Sequence, residues 1–217
     1  MTEPHASHAD EPVLSAGSPL PRARVAVVAL HGRGGTAASM LTLADELGVA
    51  DTAFLAPQAA RNTWYPFSFM APVERNEPWL TSALHKVAGT LEQCATAGIP
   101  PERTLLLGFS QGACLAVEFA ARHARRYGGV ACLSGGLIGP QLMPERYRGD
   151  FAATPAFLGC SDIDAHIPAE RVRESAALLQ RLGADVTLRL YPGMGHTINP
   201  DELASVRLLL ETAKATA

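Results

Sequence analysis

A chain of 217 residues, 47% of them apolar, is long enough to bury one large core without dividing into two domains. A formal charge of -3 with no lysine or arginine block excludes the basic footprint of a nucleic-acid binder. No apolar run reaches the roughly 18 residues of a membrane span, so membrane insertion is not expected.

Met1 to Pro12 is polar and lacks the apolar stretch of a secretory signal. It reads as a flexible leader (1–12) before a single domain (13–217) in a cytoplasmic protein. Arg24 to Leu30 (RVAVVAL) is the continuous β-branched and apolar run of a strand buried on both faces. Met40, Leu43, Ala44 and Leu47 then recur at helical spacing up to Gly48, and Thr52 to Ala56 is another short strand. The proline-punctuated stretch from Pro57 to Pro78 is irregular. Leu80, Leu84, Val87, Leu91 and Cys94 mark one face of a long helix ending by Gly98.

Thr104 to Gly108 is the next strand, and the segment after Ser110 is apolar nearly all round, as a core helix should be. Strands follow at Gly129 to Leu133 and Pro155 to Gly159. Pro168 opens a helix striped by Val172, Ala176 and Leu179, and Asp185 to Tyr191 alternates as a last strand. Asn199-Pro200-Asp201-Glu202 starts the final helix with a cap, a proline and two acids. This alternation predicts an α/β fold: a mostly parallel central sheet, helices on both faces, and no separate cap domain. Cys94, Cys114, Cys132 and Cys160 lie in apolar elements and read as buried reduced thiols, not a disulfide frame or zinc site.

Ser110 stands between Gly108 and Gly112 in GFSQG, where a strand ends and a buried helix begins. That is the position of a strained turn that exposes a nucleophile, with glycines where side chains would collide. A serine needs a base, and His196, in PGMGHTINP between the last strand and the last helix, is the best placed of seven histidines. His166 is its main rival and reads as a rim residue. The base needs an acid, and Asp162 and Asp164 in LGCSDIDAHIP compete for that role. Either gives the chain order Ser, Asp, His expected of an α/β-hydrolase. The glycine-rich LHGRGG, Leu30 to Gly35, can aim the Arg33 N–H at the same point as that of Gln111, forming an oxyanion hole. A phosphate loop is the competing reading, but neither nucleotide-binding pattern is present.

Trp64, Tyr65, Phe67 and Phe69 put four of thirteen aromatics into six residues of the irregular stretch. They either anchor that stretch to the core or wall an apolar substrate pocket beside Ser110, with Trp64 the first choice for the wall.

LHGRGG, GFSQGA, the D-x-x-x-P of Asp164 to Pro168, and GMGH together resemble the phospholipase/carboxylesterase group of α/β-hydrolases, which includes acyl-protein thioesterases and small bacterial carboxylesterases. The resemblance runs from about Val25 to Leu210. It implies Ser110 as nucleophile, Asp164 as acid, His196 as base, and Arg33 and Gln111 as oxyanion donors. It further implies a small-molecule ester or thioester as substrate, with no metal or organic cofactor. The chain departs from the usual pattern at Leu158, where relatives carry His, and at Ala165, where they carry Pro. The expected activity is a serine carboxylesterase acting through an acyl-enzyme, with a thioesterase as the alternative. A non-catalytic binding module on the same fold would betray itself by a missing triad residue, and all three are present.

Overall fold

The most apolar stretches of the chain become the centre of the sheet. In the computed structural model, which describes residues 7–216, β2 (Val25–Leu30) is buried at every position. β1 (Val13–Gly17) is an antiparallel edge strand on β3 (Thr52–Pro57), and β3 pairs with β2. β4 (Thr104–Phe109), β5 (Gly129–Leu133), β6 (Pro155–Ser161) and β7 (Asp185–Tyr191) continue beyond β2, all parallel, giving the order β1-β3-β2-β4-β5-β6-β7. The expected strands are therefore present, and β1 is added. Its residues are half exposed or exposed, so they lack the apolar run that reveals the central strands.

Alternation along β2 divides the core. Ala26, Val28 and Leu30 face the side covered by α2 (Trp79–Thr96), α3 (Gln111–Arg122) and α4 (Ala169–Arg181). Val27 and Ala29 face α1 (Ala37–Leu47) and α5 (Pro200–Ala215). The chain runs from β2 outward to β3 and then crosses back to β4, so the strand order reverses between β2 and β4. Loops leaving the carboxyl ends of those two strands diverge and open a crevice there.

The tightest contact in the sheet lies at that crevice. A Cβ on Gly108 would stand 2.2 Å from the Gly112 carbonyl oxygen, and one on Gly112 would stand 2.1 Å from that of Leu30. The first turn of α3 therefore rests directly on strand backbone, and no side chain fits between.

Of the residues 1–12 expected as a leader, 7–12 are described, and His8 among them is anchored in the fold. His8 is fully buried, accepts the Ala60 N–H at its Nδ1 (3.0 Å) and donates from Nε2 to the Trp64 carbonyl (3.0 Å). Residues 1–6 lie outside the described residues.

At the start of α5, Asn199 caps the helix by accepting the Asp201 and Glu202 N–H groups, as its sequence predicts. Glu202 does more than the sequence suggests. Its Oε2 accepts the Asn199 N–H (2.9 Å), while its fully buried Oε1 fills the space where a Gly159 Cβ would stand, 2.3 Å away. Burial pushes this carboxyl from 4.5 to about 7, against the hydrogen bond from Asn199 that favours its charge.

Two outcomes follow from these contacts. Gly112→Ala should lose about 3 kcal/mol or more in urea unfolding, because neither partner of the overlap can move away cheaply. For Glu202 the native state holds a proton that the unfolded chain releases, so stability should fall as pH rises from 4.5 to about 7 and stay level above. Glu202→Gln, which cannot ionise, should match the parent near pH 4.5 and exceed it above pH 7 by about 3 kcal/mol, read as the difference between two unfolding curves.

Candidate active site

Ser110 sits between β4 and α3 with φ 54° and ψ -119°, a conformation that costs a non-glycine residue about 1–3 kcal/mol. The strain is held from both sides. The Ser110 N–H donates to the Leu133 carbonyl at the end of β5 (2.9 Å), and the Ser110 carbonyl accepts the Cys114 N–H in α3 (3.0 Å). The side chain consequently points into the crevice. Gly32 abuts it, since a Cβ there would come within 3.2 Å of the Ser110 Cβ.

His196 Nε2 lies 2.8 Å from Ser110 Oγ, and His196 Nδ1 lies 2.7 Å from Asp164 Oδ2. Asp164 Oδ1 accepts the N–H groups of His166 (2.8 Å) and Ile167 (3.1 Å). Burial opposes ionisation of this carboxyl, yet the hydrogen bonds from His196, His166 and Ile167 outweigh it and hold Asp164 below the usual carboxylate range. The competing acid, Asp162, turns elsewhere: its Oδ1 accepts the Gly193 N–H (2.8 Å) and fastens the loop that carries His196. The Ser161 hydroxyl fastens the same loop at the Met194 carbonyl, and the Phe109 ring packs 5.0 Å from the His196 ring. At the departures from the usual pattern, Leu158 is buried in the core and Ala165 is exposed, and the Asp164–His196 contact is intact beside them.

Arg33 and Gln111 flank Ser110, and their main-chain N–H groups donate to no other group among the described residues. Their side chains have a second task that no local pattern announces. The Arg33 guanidinium donates to the carbonyls of Tyr65 (2.9 Å), Pro66 (3.0 Å) and Phe67 (2.8 Å). The Gln111 amide accepts the Trp64 N–H (3.0 Å) and donates to the Tyr65 carbonyl (2.8 Å). Buried Asn76 adds two bonds from behind, to the Phe67 N–H and the Ser68 carbonyl. The aromatic stretch is thus pinned beside Ser110 by both residues that adjoin it.

Trp64 is not a pocket wall, which corrects the sequence expectation. It is fully buried, its indole N–H donates to the His31 carbonyl (2.8 Å), and its ring packs between His8 and His31. Tyr65, Phe67 and Phe69 do reach the cleft of about 580 Å³ that contains Ser110 and His196. Cys114 also borders this cleft, but burial pushes its thiol up to about 12, which leaves no thiolate to compete with the serine. All four cysteines are buried and free, as expected of structural thiols.

Residues 13–214 match the phospholipase/carboxylesterase family. A phospholipase/carboxylesterase from Dyadobacter fermentans has a similar structure, with a TM-score of 0.90 and 45% identity over 93% of this chain and 97% of that one. Acyl-protein thioesterase 1 of Saccharomyces cerevisiae is 27% identical over 83% of this chain and 89% of its own length. Acyl-protein thioesterase 1 of Gibberella zeae is 35% identical over 55% of this chain, a match spanning only about half (52%) of that relative. Together with a mostly parallel sheet bearing Ser110 at its switch point, these likenesses place the chain in the phospholipase/carboxylesterase family, with the α/β-hydrolase fold.

Proposed function

We propose that this hydrolase is a serine carboxylesterase in which Ser110, His196 and Asp164 form the catalytic triad. The observation that carries the reading is the unbroken hydrogen-bond chain from Ser110 Oγ through both nitrogens of His196 to Asp164, at 2.8 and 2.7 Å, at the edge of a cleft. Asp164 accepts a hydrogen bond from His196 Nδ1–H, which fixes the tautomer that leaves Nε2 free to take the proton of Ser110. The serine oxygen attacks the ester carbonyl carbon, and the N–H groups of Arg33 and Gln111 receive the negative oxygen that develops. One such donor is worth about 3 to 4 kcal/mol in the transition state. His196 passes its proton to the departing alcohol, then takes one from water as the water oxygen attacks the acyl carbon, and returns that proton to Ser110 Oγ as the acyl–oxygen bond breaks and the free acid leaves.

A thioesterase is the second reading, favoured by the names of the fungal relatives, because the same groups cleave a thioester with a thiol leaving. Comparing kcat/KM on matched oxygen and sulfur esters decides between them. Intactness of the triad argues against a binding module.

Ser110→Ala should lose turnover by a factor on the order of a million while circular dichroism and unfolding stay unchanged. Labelling of the parent, but not the variant, by a fluorophosphonate is the matching readout. Asp164→Asn should cost about ten-thousand-fold by favouring the wrong tautomer of His196. Asp162→Asn keeps an oxygen for Gly193 and should change turnover by less than about tenfold. A reversal of these two effects would move the acid to Asp162. Trp64→Ala should lower unfolding stability by about 3 to 5 kcal/mol, and the order of preference among ester chain lengths should persist in the protein that remains folded.

A further inference from the structure

The chain is net negative at -3, yet the walls of the cleft carry no Asp or Glu. Asp164, the nearest acid described above, has a fully buried side chain behind His196. What the walls do present is positive or donating. Arg33 uses three N–H donors on the carbonyls of Tyr65, Pro66 and Phe67, leaving two of its five, and no carboxylate lies within ion-pair distance of it among the described residues. Arg171, on the far side of the molecule's α4, makes the same triple attachment to the carbonyls of Leu137, Gly139 and Pro140, but there Glu174 meets its charge at 2.9 Å. Arg33, unlike the buried Arg171, is exposed, so its guanidinium stands solvated at the cleft with no carboxylate to compete for a ligand's charge.

Two more groups point the same way. The Arg75 guanidinium stacks 4.2 Å from the exposed Phe67 ring, and it too has no carboxylate partner among the described residues. His166 is exposed, borders the cleft, and meets the His196 ring edge-on at 4.9 Å. Its imidazole is thus available to a ligand held next to the reacting serine. A concave site whose one charged lining side chain is the Arg33 cation, with Arg75 stacked on the lining Phe67 ring and no acid in the walls, favours an anion over a cation.

We propose that the preferred substrate is an ester carrying a carboxylate, whose negative group is received by Arg33 with His166 beside it. This rests on the esterase reading above and names the substrate class for that site. The carboxylate can belong to the acyl or to the alcohol half, and the chemistry of recognition is the same for both.

The test is a charge series of equal length followed by acid release at constant pH. Ethyl hydrogen adipate, ethyl hexanoate and ethyl 6-aminohexanoate place a negative, neutral or positive end on the acyl half, while 6-acetoxyhexanoate and hexyl acetate compare the alcohol half. At low salt kcat/KM should favour the anionic ester of at least one half over its neutral mate by about tenfold or more, with the cationic ester worst. The advantage should shrink as salt rises to about 0.5 M, where surface charges are screened. Arg33→Met should remove the anionic-to-neutral ratio, an internal comparison that cancels any general loss of activity. Should that variant not fold, the charge series and its salt dependence in the unaltered protein still decide. Equal kcat/KM across the series, or a preference for the cationic ester, overturns the inference while leaving the esterase reading in place. Calorimetry with ethyl hydrogen adipate and Ser110→Ala protein reads the anion site without catalysis. Binding there with no turnover by the parent would sink the esterase reading alone, and absence of binding by this ester and by 6-acetoxyhexanoate alike would sink the anion site.

Discussion

The contact on which the site depends is the one between the first turn of α3 and the backbone of β2 and β4. With only hydrogen at Gly108 and Gly112, the helix comes close enough for a Cβ on Gly112 to overlap the Leu30 carbonyl. That approach leaves one residue to turn the chain from strand into helix, and Ser110 takes the strained φ of 54° as a result. The strain is maintained because the core over-determines it. Every residue from Gln111 to Ala121 is buried, so α3 cannot shift outward to relax the turn without exposing its whole length. The presentation of Ser110 at the crevice is therefore a by-product of packing that lies almost entirely beneath it.

His196 is positioned by different means, since it lies in a loop with no packed element of its own. Four tethers replace that element: Asp162 at Gly193, Ser161 at Met194, Phe109 against the imidazole, and Glu202 at the Asn199 N–H. Two of them come from the end of β6 and the turn after it, where Asp164 also arises. Asp164 and the loop that carries His196 are thus both referred to the end of β6. Asp162 and Asp164 divide the work by geometry alone. One carboxylate holds the loop and the other the imidazole, although both come from the same short turn.

Much of this was legible in the sequence, and the rest was not for identifiable reasons. β2, β4 and the start of α3 announce themselves because burial on both faces leaves continuous apolar runs, and the Gly-x-Ser-x-Gly spacing records a local steric need. β1 escaped because an edge strand with one half-covered face carries little pattern. His8, Trp64 and Glu202 escaped for another reason. Each is a polar or amphipathic residue whose role is set by a partner far along the chain: His8 by Ala60 and Trp64, Trp64 by His31, and Glu202 by the space above Gly159. Periodicity reports which face of an element is covered, not which distant group covers it. The choice between Asp162 and Asp164 was closed to spacing for the same cause, since both stand in one turn and only the placement of Gly193 and His196 separates them.

With no cap domain among the described residues, the pocket wall has to be made from the stretch between β3 and α2, and its attachment has a mechanical consequence. Arg33 and Gln111 present main-chain N–H groups beside Ser110 while their side chains hold the Trp64–Phe67 backbone. The cleft wall is therefore held by the same two residues whose main-chain N–H groups lie beside Ser110. Behind them Trp64 is locked by His31, and His8 is locked to Trp64, so the rigidity of the wall extends back to the N-terminal segment. A wall attached this way has little freedom to close over a long ligand, because displacing Tyr65 or Phe67 breaks their hydrogen bonds to Arg33 and Gln111. Selection among substrates must then come from the fixed chemistry of the wall rather than from rearrangement around the ligand.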